Sequence, residues 1–339
     1  MDVIVVGGGL AGTLLALELE KRGKRVLLVD DALRDAATPV AAGLLNPVTG
    51  MRLSPTPGAG MLIPTAIETF RALEQKFGRR IFRELPLFRA YTNDAERTLK
   101  ARRAAEPDAA RWFGDEVSPK AVHPALNAPL GGFMITGGGW VDLPALLAGS
   151  REHFRSAQSA ITLAEKRFAH ADVEILKKGA GVRWRDVTAK HLVFAEGAAV
   201  RTNPWFKDLA WQPAKGEFIT CETDLADGPD FALKIGLMAI PLGDGRWRVG
   251  SNYEWEKLDT SPTPAVRDML LAGFAKMFRV PVHATVTTHL AGVRPASKGA
   301  KPIVGRHPDH PALHVFNGFG AKGCTWTPAY AREYAARLD

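Results

Sequence analysis

Val3-Ile4-Val5-Val6-Gly7-Gly8-Gly9-Leu10-Ala11-Gly12 is the stretch whose reading decides the fold. Four consecutive apolar β-formers running into glycines predict a buried parallel strand. Leu10 to Arg22 predicts a helix, with Ala11, Leu14, Leu15 and Leu19 on its apolar face and Gly23 at its end. Val26-Leu27-Leu28-Val29 predicts a second buried strand, closed by Asp30 and followed by Asp31. Together they form a βαβ unit of the kind that opens a dinucleotide-binding fold. Gly7 permits the tight turn, Gly9 lets the backbone approach a pyrophosphate, and Gly12 lets helix and strand pack closely. The helix N-terminus at Leu10 and Ala11 offers N–H groups and a positive dipole end to phosphate. Asp30 lies roughly 20 residues on, where a carboxylate accepts hydrogen bonds from both ribose hydroxyls and repels a 2′-phosphate. The motif alone does not separate FAD from NAD.

Outward from that unit, bulk properties narrow the class. The chain has 339 residues, enough for two domains, with 46% hydrophobic and 24% charged residues, as in a globular protein with a large core. No apolar run is long enough for a transmembrane helix, and Asp2 stands where a signal peptide needs positive charge. The two cysteines, Cys221 and Cys324, support neither a disulfide framework nor a zinc site, so no metal is expected and a cytoplasmic location fits. Net charge is +8, but the basic residues are scattered, which speaks for a solvated basic surface and against a nucleic-acid partner.

Further along, residues 36–60 are rich in Gly, Pro and Ala and predict an extended loop. Helices are expected at 65–77, 94–105, 143–155 (with Asp142 as N-cap), 264–278 and 328–338. Strands are expected within 81–92 and at 171–176, 191–195 and 314–316. Three more, at 215–222, 236–241 and 246–252, read as antiparallel, the last two joined by Gly243-Asp244-Gly245. Near the C-terminus, Gly318, Gly320 and Gly323 let backbone approach a flat ring. Thr327 as cap and Pro328 at the first position predict a helix N-terminus there.

Across nearly its full length the chain resembles the D-amino-acid oxidase superfamily of flavoenzymes, and within it the glycine oxidase-like members. The resemblance rests on Val3 to Asp30, Ala41-Ala42-Gly43-Leu44-Leu45, Pro213-Ala214-Lys215-Gly216-Glu217, Ile240-Pro241 and Arg248-Val249-Gly250. It rests most of all on Ala291-Gly292-Val293-Arg294-Pro295, Lys301-Pro302-Ile303-Val304-Gly305-Arg306-His307-Pro308 and Asn317-Gly318-Phe319-Gly320. The fold it implies is α/β: a Rossmann-like FAD-binding domain at 1–60, 130–212 and 288–339, interleaved with a substrate domain on a mostly antiparallel sheet at 61–129 and 213–287. It implies FAD as cofactor, held by Gly7, Gly9, Leu10, Ala11, Gly12, Asp30, Asp31, Thr38, Ala41, Ala42, Gly43, Leu44, Gly197, Gly318, Phe319, Gly320, Ala321, Lys322 and Gly323. The final helix would aim its positive end at the flavin pyrimidine, favouring the anionic reduced form.

In the resemblance Arg294 holds a substrate carboxylate through its bidentate fork; the structural alternative is an ion pair with an acid of the second domain. The chain departs from the family pattern at Met238, where glycine oxidases place a tyrosine, and at Ala321, where they place an arginine. Tyr253 and Lys322 are the candidate substitutes, and Pro39 removes a donor beside Thr38. Val293 and Val40 stand where relatives attach flavin covalently, so the FAD is expected to be non-covalent. Cys324 lies near the expected flavin and otherwise reads as a small buried apolar residue.

The implied reaction is hydride transfer from the carbon bearing an amine (an amino acid or N-substituted amino acid) to flavin N5, with no side-chain base required. O2 or a quinone would reoxidise the flavin, with Lys215, Lys234, Lys298 and Lys322 as candidate cations near oxygen. Three other readings remain. The chain also resembles the oxidase domain of the bifunctional enzyme that modifies wobble uridine in tRNA, acting on a modified base side chain. An NAD-dependent dehydrogenase would be colourless, and a flavin-binding regulatory module would be yellow and unbleached by amines. Oligomeric state is not written in any of these features.

Overall fold

The computed structural model describes residues 1–177, 180–225 and 228–338. The opening strand, Val3–Val6, lies in the middle of a six-stranded sheet. The order is Ile161–Glu165, Val26–Asp30, Val3–Val6, His191–Phe194, Leu313–Asn317, Ile303–Arg306. The first five are parallel and the last is antiparallel. Successive side chains of a strand point to opposite faces, and this sheet is buried on both. Val3, Val5, Leu28 and Val193 pack with the helices on one side. Ile4, Val6, Leu27, Val29, Leu192 and Phe194 pack on the other, where a small antiparallel sheet of Val173–Ile175, Val182–Trp184 and Val187–Ala189 covers them. Continuous apolar runs, rather than alternating ones, are what two covered faces require.

The second layer is an eight-stranded sheet with the order Ala284–Arg294, Ala214–Thr223, Arg246–Gly250, Leu237–Gly243, Ala232–Ile235, Leu87–Ala90, Gly132–Ile135, Phe113–Val117. All its pairings are antiparallel except that of Ala232–Ile235 with Leu87–Ala90. One face carries Phe88, Ile219, Cys221, Leu233, Ala239 and Val249 against Leu270 and Phe274 of the helix Pro264–Ala275. The opposite face looks into a cavity between the two sheets.

Several expectations need correction. The helix expected from 65 runs Ala59–Phe77, starting inside the expected loop and containing Pro64. Pro64 removes one ladder bond, and burial of Leu62, Ile63 and Ala66 outweighs that loss. The last helix runs Gly323–Ala336, so Thr327 and Pro328 lie within it and Thr327 is not its cap. Ser54–Pro55, Leu44–Leu45 and Val48–Thr49 form short strands inside 36–60.

Three domain boundaries move as well. The helix Ala59–Phe77 packs Leu62, Phe70 and Leu73 into the core of the parallel sheet. Gly132–Ile135 and the whole of Ala284–Arg294 belong to the antiparallel sheet. The other helices and the Asp142 cap, whose Oδ1 accepts from Ala145 N at 2.9 Å, fall where periodicity puts them to within a few residues. Among the described residues no helix is long and apolar enough to cross a membrane, and no cluster of His, Cys, Asp and Glu could hold a metal ion.

Candidate active site

A cavity of about 1020 Å³ runs from the turn at Gly7 to the antiparallel sheet. At its first end the wall is main chain. Gly7 has a φ of +99°, and a Cβ at Gly12 would overlap the Gly7 carbonyl. Gly12 is thus a packing residue and does not face the cavity, whereas Gly7, Gly9, Leu10 and Ala11 do. The first intrahelical bond runs from Thr13 N to Gly9 O at 2.9 Å. The preceding N–H groups are the unsatisfied donors of a helix start. Thr38 Oγ1 takes that of Leu10 at 3.0 Å.

Asp30 also lines this end, but both its oxygens already accept protein donors. Gly8 N donates to Oδ1 at 2.8 Å, Leu33 N to Oδ2 at 2.9 Å, and Arg151 forms an ion pair with Oδ2. A carboxylate has about four acceptor sites, so these three bonds leave Asp30 room to accept from a ligand at this end of the cavity. Asp31 sits 3.7 Å from Arg34 and does not line the cavity. Gly197, at φ +59°, does, and its carbonyl accepts from Asn317 Nδ2 at 2.9 Å.

In the middle, two segments face each other. On one side stand Thr38, Val40, Ala41, Ala42, Gly43 and Leu44. Trp140 Nε1 donates to Ala42 O at 3.0 Å, and Arg248 Nη2 donates to Pro39 O at 3.0 Å and Val40 O at 2.5 Å, which holds this loop against the antiparallel sheet. On the other side are Phe319, Gly320, Ala321, Lys322, Gly323, Cys324 and Thr327. The start of the helix Gly323–Ala336 therefore opens on the cavity, as expected, though from a different first residue. Gly318 does not line it; at φ +82° it makes the turn. Burial pushes the Cys324 thiol up to about 12, so it stays protonated and inert. Val40 and Val293 both face the cavity and neither can form a bond to flavin.

Thr327 Oγ1 is buried here with no hydrogen-bond partner among the described residues. A buried unsatisfied hydroxyl costs about 1–3 kcal/mol. With the two open helix starts it forms the donor set that a phosphate-bearing, flat-ringed cofactor would satisfy. The cavity fits FAD on these grounds.

The last part of the wall is built by strand register. Arg89, Lys234, Met238, Gly250 and Phe218 are successive cross-strand partners on five neighbouring strands, and all five line the cavity. Arg294 enters from the edge strand. A Cβ at Gly216 would overlap its guanidinium, so that glycine clears its path. Arg294 Nη1 donates to Lys215 O at 3.2 Å, and Nη2 donates to Ser251 Oγ and to Asn252 O at 3.4 Å. Its Cζ stands 4.3 Å from the centroid of Tyr253. Burial lowers its pKa from the ordinary value, yet an arginine stays charged. It has no carboxylate partner among the described residues, so the expected alternative of a structural ion pair is not what is found.

Of the four lysines considered for oxygen, Lys234 and Lys322 line the cavity and Lys215 and Lys298 do not. Lys215 sits at an odd position beside cavity-facing Gly216, so it points to the other face. There Nζ binds Asp259 at 2.6 Å and Ser261 O at 2.5 Å, with Glu217 at 3.7 Å. Burial lowers the pKa of both Lys234 and Lys322. Arg89, Phe218 and Ser251 were missed by sequence reasoning, and Thr327 was read as a helix cap rather than as part of the cavity wall. Strand alternation could have paired Phe218 with Gly216, but the row as a whole exists only once the register is known.

A family model described as FAD dependent oxidoreductase (DAO) matches residues 2–337. Glycine oxidase of Pseudomonas putida is 25% identical over 99% of this chain and 94% of its own length. The tRNA 5-methylaminomethyl-2-thiouridine biosynthesis bifunctional protein MnmC of Azoarcus sp. is also 25% identical over 99% of this chain, but the chain spans only 56% of that protein. Among solved structures, glycine oxidase from Geobacillus kaustophilus superposes with a TM-score of 0.81 at 23% identity, covering 99% of this chain and 94% of that one. These matches remove the nicotinamide alternative, and the chain belongs to the DAO family of FAD-dependent oxidoreductases.

Proposed function

We propose that this enzyme oxidises an amine that carries a carboxylate, an amino acid or N-substituted amino acid, and that Arg294 holds the carboxylate. The observation that carries the reading is the guanidinium itself: charged, half-buried, facing the cavity and unmatched by any acid among the described residues. An unpaired buried charge is costly, and a bound carboxylate removes that cost through a bidentate pair. Ser251 Oγ and the carbonyls of Lys215 and Asn252 fix the fork, and Tyr253 covers it. Gly7, Gly9, Leu10, Ala11, Asp30, Thr38, Gly197 and Thr327 would hold FAD, with Ala41 to Leu44 and Phe319 to Gly323 flanking its ring. Bound there, FAD supplies a two-electron acceptor for the hydrogen on the carbon bearing the amine. The protein's part is orientation and exclusion of water. No side chain need take a proton if the amine binds neutral, and the imine product hydrolyses in water. O2 or a quinone would then take the electrons. A cytoplasmic setting accords with two buried free cysteines.

The test is anaerobic addition of amino acids and secondary amines to the purified yellow protein. Bleaching of the flavin by a carboxylate-bearing amine, and not by its carboxamide, is the expected result. Equal bleaching by both would overturn the role of Arg294.

A second reading has its own observation. Tyr253 and Trp255 are 52% and 58% exposed and stack with centroids 5.8 Å apart. Such a platform beside a cavity can stack a nucleobase, and the bifunctional relatives are tRNA-modifying by name. Tight tRNA binding with a steep salt dependence would favour it.

A further inference from the structure

We propose that the substrate carries a second acidic group, distal to the amine, and that Lys234 reads it. The inference rests on the amine-oxidising reading above and extends it along the same cavity-facing row of the sheet. Lys234 lines the cavity in the cross-strand row, between Arg89 and Met238. The nearby acid, Glu96, is already engaged. Its Oε1 takes Arg89 Nε at 2.9 Å and Nη2 at 2.6 Å, and its Oε2 takes the N–H of Thr92 at 3.0 Å and its hydroxyl at 2.9 Å. The Lys234 ammonium is left with the carbonyl of Gly236 and no carboxylate among the described residues. Arg89 and Glu96 thus form a closed neutral pair, 8% exposed at each residue, that shields the lysine from its natural partner.

The geometry then selects a ligand with two charged ends. The Arg294 guanidinium reaches over Gly216 to Ser251, at the end of the Arg246–Gly250 strand. Two strand steps separate that strand from the one bearing Lys234, about 10 Å of backbone at roughly 4.8 Å per step. The floor between them is Gly250 and Met238, apolar and suited to a methylene stem. Of the charged residues on this part of the wall, Asp259 is tied to Lys215 and Arg89 to Glu96. The surplus is therefore positive. A carboxylate or a phosphate would satisfy Lys234 equally, since an ammonium is a point charge without a planar preference.

The holoprotein and its Lys234→Met and Lys234→Arg variants decide the matter in two ways. Perturbation of the visible flavin spectrum is titrated with straight-chain dicarboxylates of increasing length, with their monoamides, and with the matching phosphonocarboxylates. The diacid should bind about tenfold more tightly than its monoamide. Lys234→Met should bring that ratio close to one, and Lys234→Arg should restore it in part. A phosphonate preferred over a carboxylate identifies the group as phosphate-like. This measurement needs no turnover, so it remains decisive even if no amine bleaches the flavin, the result that sinks the amine reading alone. Where amines do bleach it, anaerobic reduction by amino diacids against their amides should show the same ratio in apparent Kd. A ratio near one in the wild-type protein, or a ratio untouched by Lys234→Met, overturns the proposal.

Discussion

At the nucleotide end of the cavity the wall is main chain and the acids are engaged; toward the substrate end the wall is side chain and, Arg89 apart, its cations have no acid partner among the described residues. Asp30 is matched by Arg151, and Glu196 by His170 at 2.7 Å and Asn203 Nδ2 at 2.8 Å. Arg294, Lys234 and Lys322 face the same cavity without a carboxylate among the described residues. The contrast teaches how the two ends work. One positions a constant cofactor through helix starts and glycine turns. The other holds charge in reserve for a ligand and can be retuned by changing single strand residues.

The largest expected effect tests the main-chain end. Gly12→Ala places a methyl group against the Gly7 carbonyl, forcing helix and strand apart where the cofactor phosphates would sit. The variant should purify without bound flavin and take up none from added FAD. Visible absorbance equal to wild type, at an unchanged Tm, would show that the close approach is not needed and would break the comparison at its firmer end. Next comes Arg294→Ala. It should keep its flavin but lose about 3 kcal/mol of binding to the carboxylate, roughly a hundredfold in kcat/KM. Arg294→Lys should recover only part of it, because a point charge cannot replace the fork. A loss of flavin together with activity would instead assign Arg294 to the cofactor end.

The same contrast explains what the sequence could tell. Val3 to Asp30 is a local code: strand, turn, helix and acid fall within one short stretch, and each shapes its neighbour. What it does not encode is Arg151, the partner of Asp30 on a helix far along the chain. Thr327 and Pro328 followed good cap chemistry, yet the helix begins at Gly323 because Cys324, Thr325 and Trp326 are all buried by tertiary packing. The substrate wall was legible only at Arg294, through the resemblance. The row from Arg89 to Phe218 joins five strands whose order no local pattern encodes. Lys215 was chosen for charge alone, and period-2 alternation turns it away from the cavity.

Buried titratable groups in the parallel sheet, away from the cavity, act on the fold alone, and pH should expose this. His314 lies in the parallel sheet, with Nδ1 2.8 Å from Tyr334 Oη and Nε2 3.0 Å from His191 Nδ1. Desolvation, then the charge of His191, lowers its pKa from 6.5 to about 3. A depressed histidine binds fewer protons folded than unfolded. Stability is therefore unaffected above pH about 6.5 and falls as the pH drops from there toward 3. At pH 5 the loss is about 2 kcal/mol relative to pH 7, from about 1.4 kcal/mol per unit. Urea unfolding at the two pH values checks it. His314→Gln should flatten that dependence, and an equally steep fall in the variant would assign the effect elsewhere.

The smallest effect separates two jobs of one hydroxyl. Thr38 Oγ1 accepts from Leu10 N, so it caps a helix start; its own hydrogen remains free to donate to a phosphate oxygen at that spot. Thr38→Ser should preserve both jobs and Thr38→Val neither. If capping is all it does, Thr38→Val lowers the Tm of the apoprotein and leaves the Kd for FAD nearly unchanged. If it also binds phosphate, Kd rises about fivefold, on the order of 1 kcal/mol, beyond any change in apoprotein stability. We expect the second outcome, because Pro39 cannot supply an N–H at the next position and the phosphate needs a donor from this side of the turn. An unaltered Kd in Thr38→Val would leave the nucleotide end wholly to main chain and sharpen its contrast with the substrate wall.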